Sequence, residues 1–286
     1  MHNNPTPIDP IDYLVIGHLT RDLTPEGSIV GGTALYATLT AKAMGVRVGV
    51  ITAGEYDHMT PEMEGVTLVN LPSEQTTTFE NIPGKDRRIQ YVHELAPGLN
   101  ASHVPTTWLD TPIIHLGPVA QEVDPKLPRS FPDSFIGLTP QGWLRGWDDS
   151  GKVHVAEWPE AGFVLEKATA AVLSIEDVDG DETRIEEMMS RIRILVITEG
   201  PEGARLYWNG NMRRFRPPRV EVAEDTGAGD IFAAAFFIRL HQTQDPLEAA
   251  HFATLVASNL VTRSGVDSIP TPEETRNYLM GTIKEY

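Results

Sequence analysis

The segment from Glu224 to Ile238 reads EDTGAGDIFAAAFFI and joins a glycine-rich turn directly to an apolar run. An uninterrupted apolar run of this kind is typical of a helix that is buried on every side. Gly227, Ala228 and Gly229 leave their N–H groups uncovered, and a helix N-terminus adds roughly half a positive charge. The segment is therefore a candidate anion site. Taken alone, it fits ordinary helix capping better, because glycine turns and acidic first-turn residues are common at helix starts.

Asp230 falls in the first turn of this predicted helix, where the helix dipole stabilises a carboxylate. From there it can accept a proton from a nearby hydroxyl group. Other phosphate-binding motifs are absent from the sequence. It has no G-x-x-x-x-G-K-[ST] loop, no third glycine of a dinucleotide fingerprint after Gly229, and no H-R-D kinase loop.

Predicted strands and helices alternate through the rest of the chain. A strand at 13–17, a helix at 32–44 and a strand at 46–52 follow one another, with an insertion at 19–30 after the first strand. Apolar patterning and capping residues predict the later elements: strands at 113–116, 135–138, 171–175 and 194–198, and helices at 181–191, 230–240, 247–262 and after Thr271. The alternation predicts an α/β fold with a largely parallel sheet covered by helices on both faces.

One segment interrupts this alternation. Residues 76–91 read TTTFENIPGKDRRIQY, two β-prone arms around a Pro83-Gly84 turn, and predict a hairpin outside the main sheet. Together with the insertion it is a candidate lid, formed by about 19–30 and 74–98. A surface hairpin without functional motion is the alternative. Because no linker or repeat divides the chain, we expect a single domain over 1–286.

The composition of the 286-residue chain excludes several classes of site and partner. Cysteine is absent, which excludes disulfides, thiolate zinc sites and cysteine nucleophiles. The 23 Lys and Arg residues against 40 Asp and Glu give a net charge of −17, which argues against nucleic acid and membrane surfaces as partners. The histidines show no metal-ligand spacing, and His115 is interpreted as a hydrogen-bonded core residue. Without a leader-like N-terminus or a membrane-length apolar run, we expect a soluble cytoplasmic protein.

Two further glycine-rich segments follow predicted strands. Gly31 and Gly32 open the first helix, and Asp22 lies beyond the first strand, where ligands bind in doubly wound sheets. Asp22 is therefore a candidate acceptor for hydrogen bonds from substrate hydroxyls, although a turn aspartate explains its position as well. Residues 198–204 read TEGPEGA, which suits either a nucleotide-binding loop or a tight turn between strands.

Taken in their order along the chain, these glycine-rich segments and their neighbours resemble the ribokinase (PfkB) family of carbohydrate and nucleoside kinases. The resemblance spans nearly the whole chain. TGAGD at 226–230 is similar to the C-terminal signature of that family, and Gly31 and Gly32 are similar to its N-terminal signature. Residues 196–204 resemble its nucleotide-carrying strand and loop, and residues 252–270 resemble its last core helix and loop. The resemblance implies a ribokinase-like three-layer sandwich with a mostly parallel central sheet and a small β lid.

The resemblance also implies a kinase that uses ATP and Mg²⁺ to phosphorylate a hydroxyl of a small sugar or polyol. Asp230 would be the general base, and the amides of Gly227, Ala228 and Gly229 would form the anion hole. The remaining implied contacts are with the acceptor at Asp22, Gly31, Gly32 and Tyr36, with the nucleotide at Thr198, Gly200, Gly203, Thr226 and Thr254, and with Mg²⁺ through water at Asp177.

Two properties stay open at this point. Some members of the family are activated by a monovalent cation, and the sequence does not decide this. The chain is expected to be a monomer or a homodimer that pairs through the lid, with Ile89 and Tyr91 as apolar contacts.

The chain departs from the family pattern mainly in its substrate half. Glu224 replaces an aspartate of the C-terminal signature, and Ser174 and Asp177 stand in the N-x-x-E region. Tyr36 stands where an asparagine usually holds sugar hydroxyls, and TPQ at 139–141 replaces D-P-N. The sequence therefore does not support an ordinary ribose or fructose pocket.

Several functions follow from these observations. GHLTRD at 17–22, GGTA at 31–34 and TTTF at 76–79 resemble the inositol kinases of the family. A second hypothesis is a relative that binds ligands but no longer catalyses a reaction, and the retained GAGD segment argues against it.

A nucleoside kinase is a third reading, in which Tyr36, Trp143 or Phe79 would stack on a base. Arg87 and Arg88 would bind a sugar phosphate or lie at a solvated hairpin tip.

Overall fold

The computed structural model describes residues 8–25, 27–55, 60–82, 89–221, 226–263 and 265–279, and most of its strands belong to one sheet. The described strands are, in chain order, β1 (Tyr13–Ile16), β2 (Thr20–Thr24), β3 (Gly27–Gly31), β4 (Val48–Gly54), β5 (Thr67–Pro72), β6 (Thr78–Ile82), β7 (Ile89–Glu94), β8 (Ile113–Leu116), β9 (Phe135–Leu138), β10 (Arg145–Trp147), β11 (Val153–Val155), β12 (Ala170–Ser174), β13 (Ile194–Thr198), β14 (Ala204–Trp208) and β15 (Asn211–Phe215).

The main sheet has the strand order β15-β14-β13-β12-β9-β8-β1-β4-β5. From β13 to β5 all neighbours are parallel, and β14 and β15 continue one edge in antiparallel pairing. The carboxyl ends of the parallel strands therefore meet along one edge, where loops from several parts of the chain come together.

Helices cover both faces of this sheet. They are α1 (Thr33–Ala43), α2 (Ala161–Leu165), α3 (Glu182–Met189), α4 (Ala228–Thr243), α5 (Pro246–Leu260) and α6 (Pro272–Leu279). In β1, Tyr13 and Val15 pack into one core with α1, α4 and α5, and Leu14 and Ile16 pack into the opposite core with α2 and α3. The predicted α/β three-layer sandwich with a mostly parallel sheet is confirmed.

A second, smaller sheet has the order β3-β2-β6-β7. The β2–β3 and β6–β7 pairs are antiparallel, and β2–β6 is parallel, so the two predicted lid segments pair with each other. The β10–β11 hairpin joins this sheet at a bridge between Tyr91 and Lys152. The predicted β structure outside the main sheet is thus present, and the Pro83-Gly84 turn lies outside the described residues.

The apolar run from Ile231 to Ile238 forms half of α4, and every residue in it is buried. The helix begins at Ala228, two residues before the predicted start. The last helix is capped as its sequence indicates, because Thr271 and Glu274 exchange hydrogen bonds between side chain and backbone. Within the described ranges, the helices are all too short or too polar to cross a membrane.

Candidate active site

A cleft of about 790 Å³ opens at the carboxyl ends of the parallel strands, next to the small sheet. Its lining contains nearly all of the predicted site residues: Asp22, Gly32, Tyr36, Asp177, Thr198, Gly200, Gly203, Thr226, Gly227, Ala228, Gly229, Asp230 and Thr254. Gly31 lies behind Asp22 and contacts it. Segments that are far apart in the sequence therefore meet at one place.

The glycine turn at the start of α4 is open toward this cleft. Gly227 precedes the helix with a φ of 82°, a left-handed conformation that favours glycine. Because glycine has no capping side chain, the N–H groups of the first helical turn are left for an external partner. A methyl group added to Gly229 would meet open space. The turn has the geometry of an anion site and does not use a side-chain cap.

Tyr36 packs directly against this turn. A Cβ atom on Gly227 would lie only 2.5 Å from Cδ1 of Tyr36, and Tyr36 is 2% exposed. The phenol ring, predicted as a substrate contact, lines the cleft and at the same time supports the anion turn from behind. A side chain at position 227 would displace it.

Asp230 lies at the floor of the cleft and is tied to the first helix of the chain. Thr33 Oγ1 donates a hydrogen bond of 2.7 Å to Asp230 Oδ1. Burial raises the pKa of Asp230 to about 6, the Thr33 hydrogen bond and the charge of Arg145 lower it, and Asp177 and Asp22 raise it. A carboxylate with this pKa is ionised at neutral pH and basic enough to take a proton from a bound hydroxyl.

Asp22 is held against the Gly31-Gly32 pair. Thr20 Oγ1 donates to Asp22 Oδ1 at 2.8 Å, and the carboxylate fills the space where a Gly31 side chain would stand. Gly32 has a φ of 87°, and a Cβ there would approach the His18 carbonyl oxygen to 2.6 Å. Glycine is thus required at the two positions for different reasons: Gly31 makes room for Asp22, and Gly32 allows the turn into α1.

The loop between β13 and β14 is the tight turn that its sequence allows, and it lines the cleft. Gly200 begins a short turn that joins Thr198 to β14, and the Glu199 N–H donates to the Gly203 carbonyl at 2.7 Å. The same residues line the cleft. The loop is therefore a tight turn between antiparallel strands whose surface faces a ligand-sized space.

A groove continues the cleft along α5. Its walls are small and apolar or weakly polar: Thr254, Ala257, Ser258 and Val261 from the helix and its end, and Pro217 and Pro218 after β15. The Thr254 hydroxyl is already used within the helix, since it donates to the Ala250 carbonyl at 2.7 Å. The groove therefore offers mainly surface for packing a flat group.

Comparison with known proteins finds a family that part of the chain resembles. Residues 160–274, which include α4, α5 and the anion turn, match the model of the pfkB family carbohydrate kinases. This part of the chain, less than half of its length, is similar to the pfkB family carbohydrate kinases.

Individual curated proteins also match parts of the chain. Inositol 3-kinase of Zea mays is 33% identical over 132 residues, which are 44% of this chain and 33% of that protein. Probable fructokinase-5 of Arabidopsis thaliana is 26% identical over 136 residues, 44% of this chain and 42% of that protein. The chain thus matches less than half the length of these curated relatives.

The whole fold resembles solved structures more extensively. One of them is a pyrophosphate-dependent myo-inositol-1 kinase converted into a myo-inositol-3 kinase by two substitutions. It has a TM-score of 0.76 and 19% identity, and the match covers 94% of this chain and 99% of that one. At this identity the likeness shows the fold alone.

Asp177 is surrounded differently from what its sequence neighbours indicate. Its Oδ2 accepts the Ser174 N–H at 2.8 Å, and its Oδ1 accepts the Gln141 side-chain amide at 3.1 Å. Burial raises the pKa of Asp177. Ser174 has no amide side chain, but Gln141 brings one to the same carboxylate from the end of β9.

The donor set around Asp177 fits a hydrated Mg²⁺ ion. Mg²⁺ is usually held by one or two carboxylates together with water and substrate phosphates. Asp177 and the neighbouring Glu176 line the cleft with carboxylate oxygens. In the described part of the chain, three or more His, Asp or Glu side chains never converge on one point, so an ion held mainly by protein is not indicated.

Four residues that the sequence reading did not select also line the cleft. Thr33 holds Asp230, and Asn81 and Gln90 form an amide pair across β6 and β7, with Gln90 Nε2 donating to Asn81 Oδ1 at 2.8 Å. Arg145 is the fourth. The GGTA pattern contained Thr33, but nothing in the motifs pointed to the other three. The register of β6 and β7 pairs Asn81 with Gln90, and Arg145 reaches the cleft from β10.

Other predicted residues lie elsewhere. Trp143 is in the core, stacked on Trp158 with ring centroids 5.1 Å apart, so it cannot stack on a ligand in the cleft. His115 is a buried core residue bonded to Tyr13 and Thr139, as expected, and burial lowers its pKa to about 3. The positions proposed for Glu224, Arg87 and Arg88 lie outside the described residues.

Proposed function

We propose that this chain is a kinase that transfers the terminal phosphoryl group of ATP to a hydroxyl of a small polyhydroxylated substrate. One observation carries the proposal: Asp230, with a pKa of about 6, directly follows Gly227–Gly229 in the chain, and Asp22 lines the same cleft. A base beside an anion site is what phosphoryl transfer to a hydroxyl requires.

In this mechanism the acceptor hydroxyl donates its proton to Asp230 Oδ2 while Thr33 occupies Oδ1. The hydroxyl oxygen attacks the terminal phosphorus, and the bond to the bridging oxygen of ADP breaks. The amides of Gly227, Ala228 and Gly229 stabilise the charge on the phosphoryl oxygens. Mg²⁺, held through water near Asp177, would neutralise charge on the donor phosphates.

ATP is favoured over pyrophosphate as the donor, although the solved myo-inositol kinase is described as pyrophosphate-dependent. The groove formed by α5 and the Pro217-Pro218 segment lies beyond the anion turn and offers surface for a flat base. Pyrophosphate would leave this groove without a ligand. We expect Thr198, Gly200, Gly203, Thr226 and Thr254 to contact the nucleotide.

A cyclic polyol such as an inositol is the acceptor that the cleft suits best. Asp22 accepts hydrogen bonds, the Asn81–Gln90 pair both donates and accepts, and Thr20 adds a hydroxyl. These groups match a ring that carries hydroxyls around its edge. The inositol 3-kinase of Zea mays is among the relatives that support this choice.

The small sheet would act as a lid within one ribokinase-like domain. The lid would be formed by residues of about 19–30 and 74–98. It contributes Asp22, Phe79, Asn81 and Gln90 to the cleft lining. Closing over the substrate would exclude water, which would otherwise compete as the nucleophile.

A nucleoside kinase is the second candidate, because Phe79 lines the acceptor side and offers an aromatic ring. Tyr36 and Phe79 are both nearly buried, at 2% and 4% exposed, and the Tyr36 ring also packs against Gly227, so stacking on a base would require either ring to move. An adenosine arm in the assay decides between the two candidates.

The test is a substrate panel that is read out by ADP release with ATP as the donor and by orthophosphate release with pyrophosphate as the donor. The panel contains myo-inositol, fructose, ribose, fructose 6-phosphate and adenosine, each with ATP and Mg²⁺ and each with pyrophosphate and Mg²⁺. We expect the highest kcat/KM with myo-inositol and ATP. Binding of ATP without phosphorylation of any acceptor would contradict the proposal and favour a relative that binds ligands without turnover.

A further inference from the structure

Arg145 connects the two sheets at the cleft. It begins β10, and its Nη1 donates to the carbonyl of Val119, which follows β8 of the main sheet, at 3.0 Å. On the other side its Cζ lies 5.5 Å from the ring centroid of Phe79, on β6 of the small sheet. A backbone carbonyl and an aromatic face thus hold the guanidinium group at the cleft surface.

The cleft around Arg145 is strongly negative. Four carboxylates line it, Asp22, Glu176, Asp177 and Asp230. The positive charge of Arg145 lowers the pKa of both Asp177 and Asp230, so it acts on the predicted base and on the predicted Mg²⁺ site together. Arg219 also contributes to the described lining, but it lies exposed in the segment after β15.

A phosphoryl group in transfer carries negative charge on its three equatorial oxygens. The negative charges of Asp177 and Asp230 oppose the approach of this group, so a positive charge near the group is needed to offset them. Backbone amides supply only partial charges, whereas a guanidinium supplies a full charge and two parallel N–H groups that match phosphate oxygens.

We propose that Arg145 is a catalytic residue that binds the phosphoryl group as it passes from donor to acceptor. The proposal rests on the kinase function proposed above and assigns to it a residue outside the glycine-rich motifs. Arg145 keeps its proton throughout: the acceptor proton goes to Asp230, the new P–O bond forms at the acceptor oxygen, and ADP leaves with the electron pair of the broken bond.

The first test compares R145Q and R145K with the wild-type enzyme in steady-state assays. R145Q should lose about 10²-fold or more in kcat, as enzymes do when one donor to a transition-state oxyanion is removed. The KM for the acceptor should change little, and R145K should recover part of the rate because it restores a point charge. R47Q is the matched control, since Arg47 pairs with Asp12 at the surface.

The second test measures binding and needs no turnover. ADP and Mg²⁺ are titrated into the protein with myo-inositol, with and without aluminium fluoride, which mimics the phosphoryl group in flight. R145Q should bind ADP alone like the wild type and should lose most of the added affinity that aluminium fluoride provides. Thermal denaturation of each variant shows whether it is folded.

Distinct results separate the two proposals. An unchanged kcat in R145Q, or an equal loss of affinity for ADP with and without aluminium fluoride, overturns the role of Arg145. A raised acceptor KM with unchanged kcat also overturns it and places Arg145 on the acceptor. If the wild-type protein phosphorylates no acceptor, the kinase function fails, and the aluminium fluoride comparison then decides by itself whether Arg145 binds the anion.

Discussion

The proposed donor side and the proposed acceptor side of the cleft are built from different parts of the chain. The anion turn consists of backbone N–H groups within one short segment, Gly227 to Asp230. The acceptor side consists of side chains from three strands, with Asp22 on β2, Phe79 and Asn81 on β6, and Gln90 on β7. A backbone site requires small residues in a fixed order, whereas a side-chain site depends on strand pairing. The first is therefore recognisable in the sequence, and the second becomes visible only in the fold.

The largest expected effect is at Asp230, where the two sides meet. Asp230→Asn should lower kcat by about 10²–10⁴-fold, because the amide cannot accept the acceptor proton. It can still accept the Thr33 hydrogen bond, so the fold should be kept. Steady-state ADP release measures the effect, with Asp12→Asn as a control at a carboxylate paired with Arg47. A kcat close to the wild-type value would show that Asp230 is not the base.

The next effect tests the backbone nature of the donor side. Gly229→Ala adds one methyl group into open space in the cleft, so it should leave folding intact and obstruct the phosphoryl group. We expect a loss of about 10²-fold in kcat, similar to the loss of one oxyanion donor. Gly162→Ala on α2, where a Cβ also meets little, is the matched control. Equal activity of both variants would contradict the assignment of the anion site.

A smaller effect is expected on the acceptor side. Asp22→Asn weakens hydrogen bonds from substrate hydroxyls to a charged acceptor, which are worth about 1.5–3 kcal/mol. The kcat/KM for the acceptor should fall by roughly tenfold to a hundredfold, while the KM for ATP stays near the wild-type value. Parallel changes in both KM values would mean that Asp22 shapes the whole cleft and does not hold the acceptor.

The smallest effect is a shift in pH dependence. Asp230 must be ionised to act as a base, so kcat/KM should fall with decreasing pH below its pKa of about 6 and should level off above it. Thr33→Val removes a hydrogen bond that lowers this pKa, so the midpoint should move to higher pH. Thr40→Val, in the same helix but bonded to the Tyr36 carbonyl, should leave the midpoint in place. If the midpoint is the same in the wild type, Thr33→Val and Thr40→Val, the fall of kcat/KM at low pH is not caused by protonation of Asp230.

Except for β5, the parallel strands were predicted, because burial on both faces makes them continuous apolar runs, as in ILVIT of β13. The edge strand β15 was not, because its sequence NMRRF is polar and nearly all of it is exposed. The β10–β11 hairpin was missed for a related reason. Its strands are three residues long, and its place in the fold depends on contacts with β7.

The site shows the same division. Asp230 and the anion turn follow from one segment, whereas Arg145 has partners on β6 and after β8 that no local pattern connects. Ser174 indicated the loss of an amide near Asp177, yet Gln141 supplies one from another strand end. A motif read along the chain cannot show such an exchange, because it takes place between neighbours in space.

Product analysis tests the central claim most directly. The protein is incubated with ATP, Mg²⁺ and myo-inositol, and ³¹P NMR follows the phosphorus species in the wild type and in Asp230→Asn. We predict that a phosphate monoester of the polyol and ADP appear in equal amounts with the wild type, and that the variant forms neither at a comparable rate. Release of inorganic phosphate without an ester, or equal ester formation by both proteins, would contradict it.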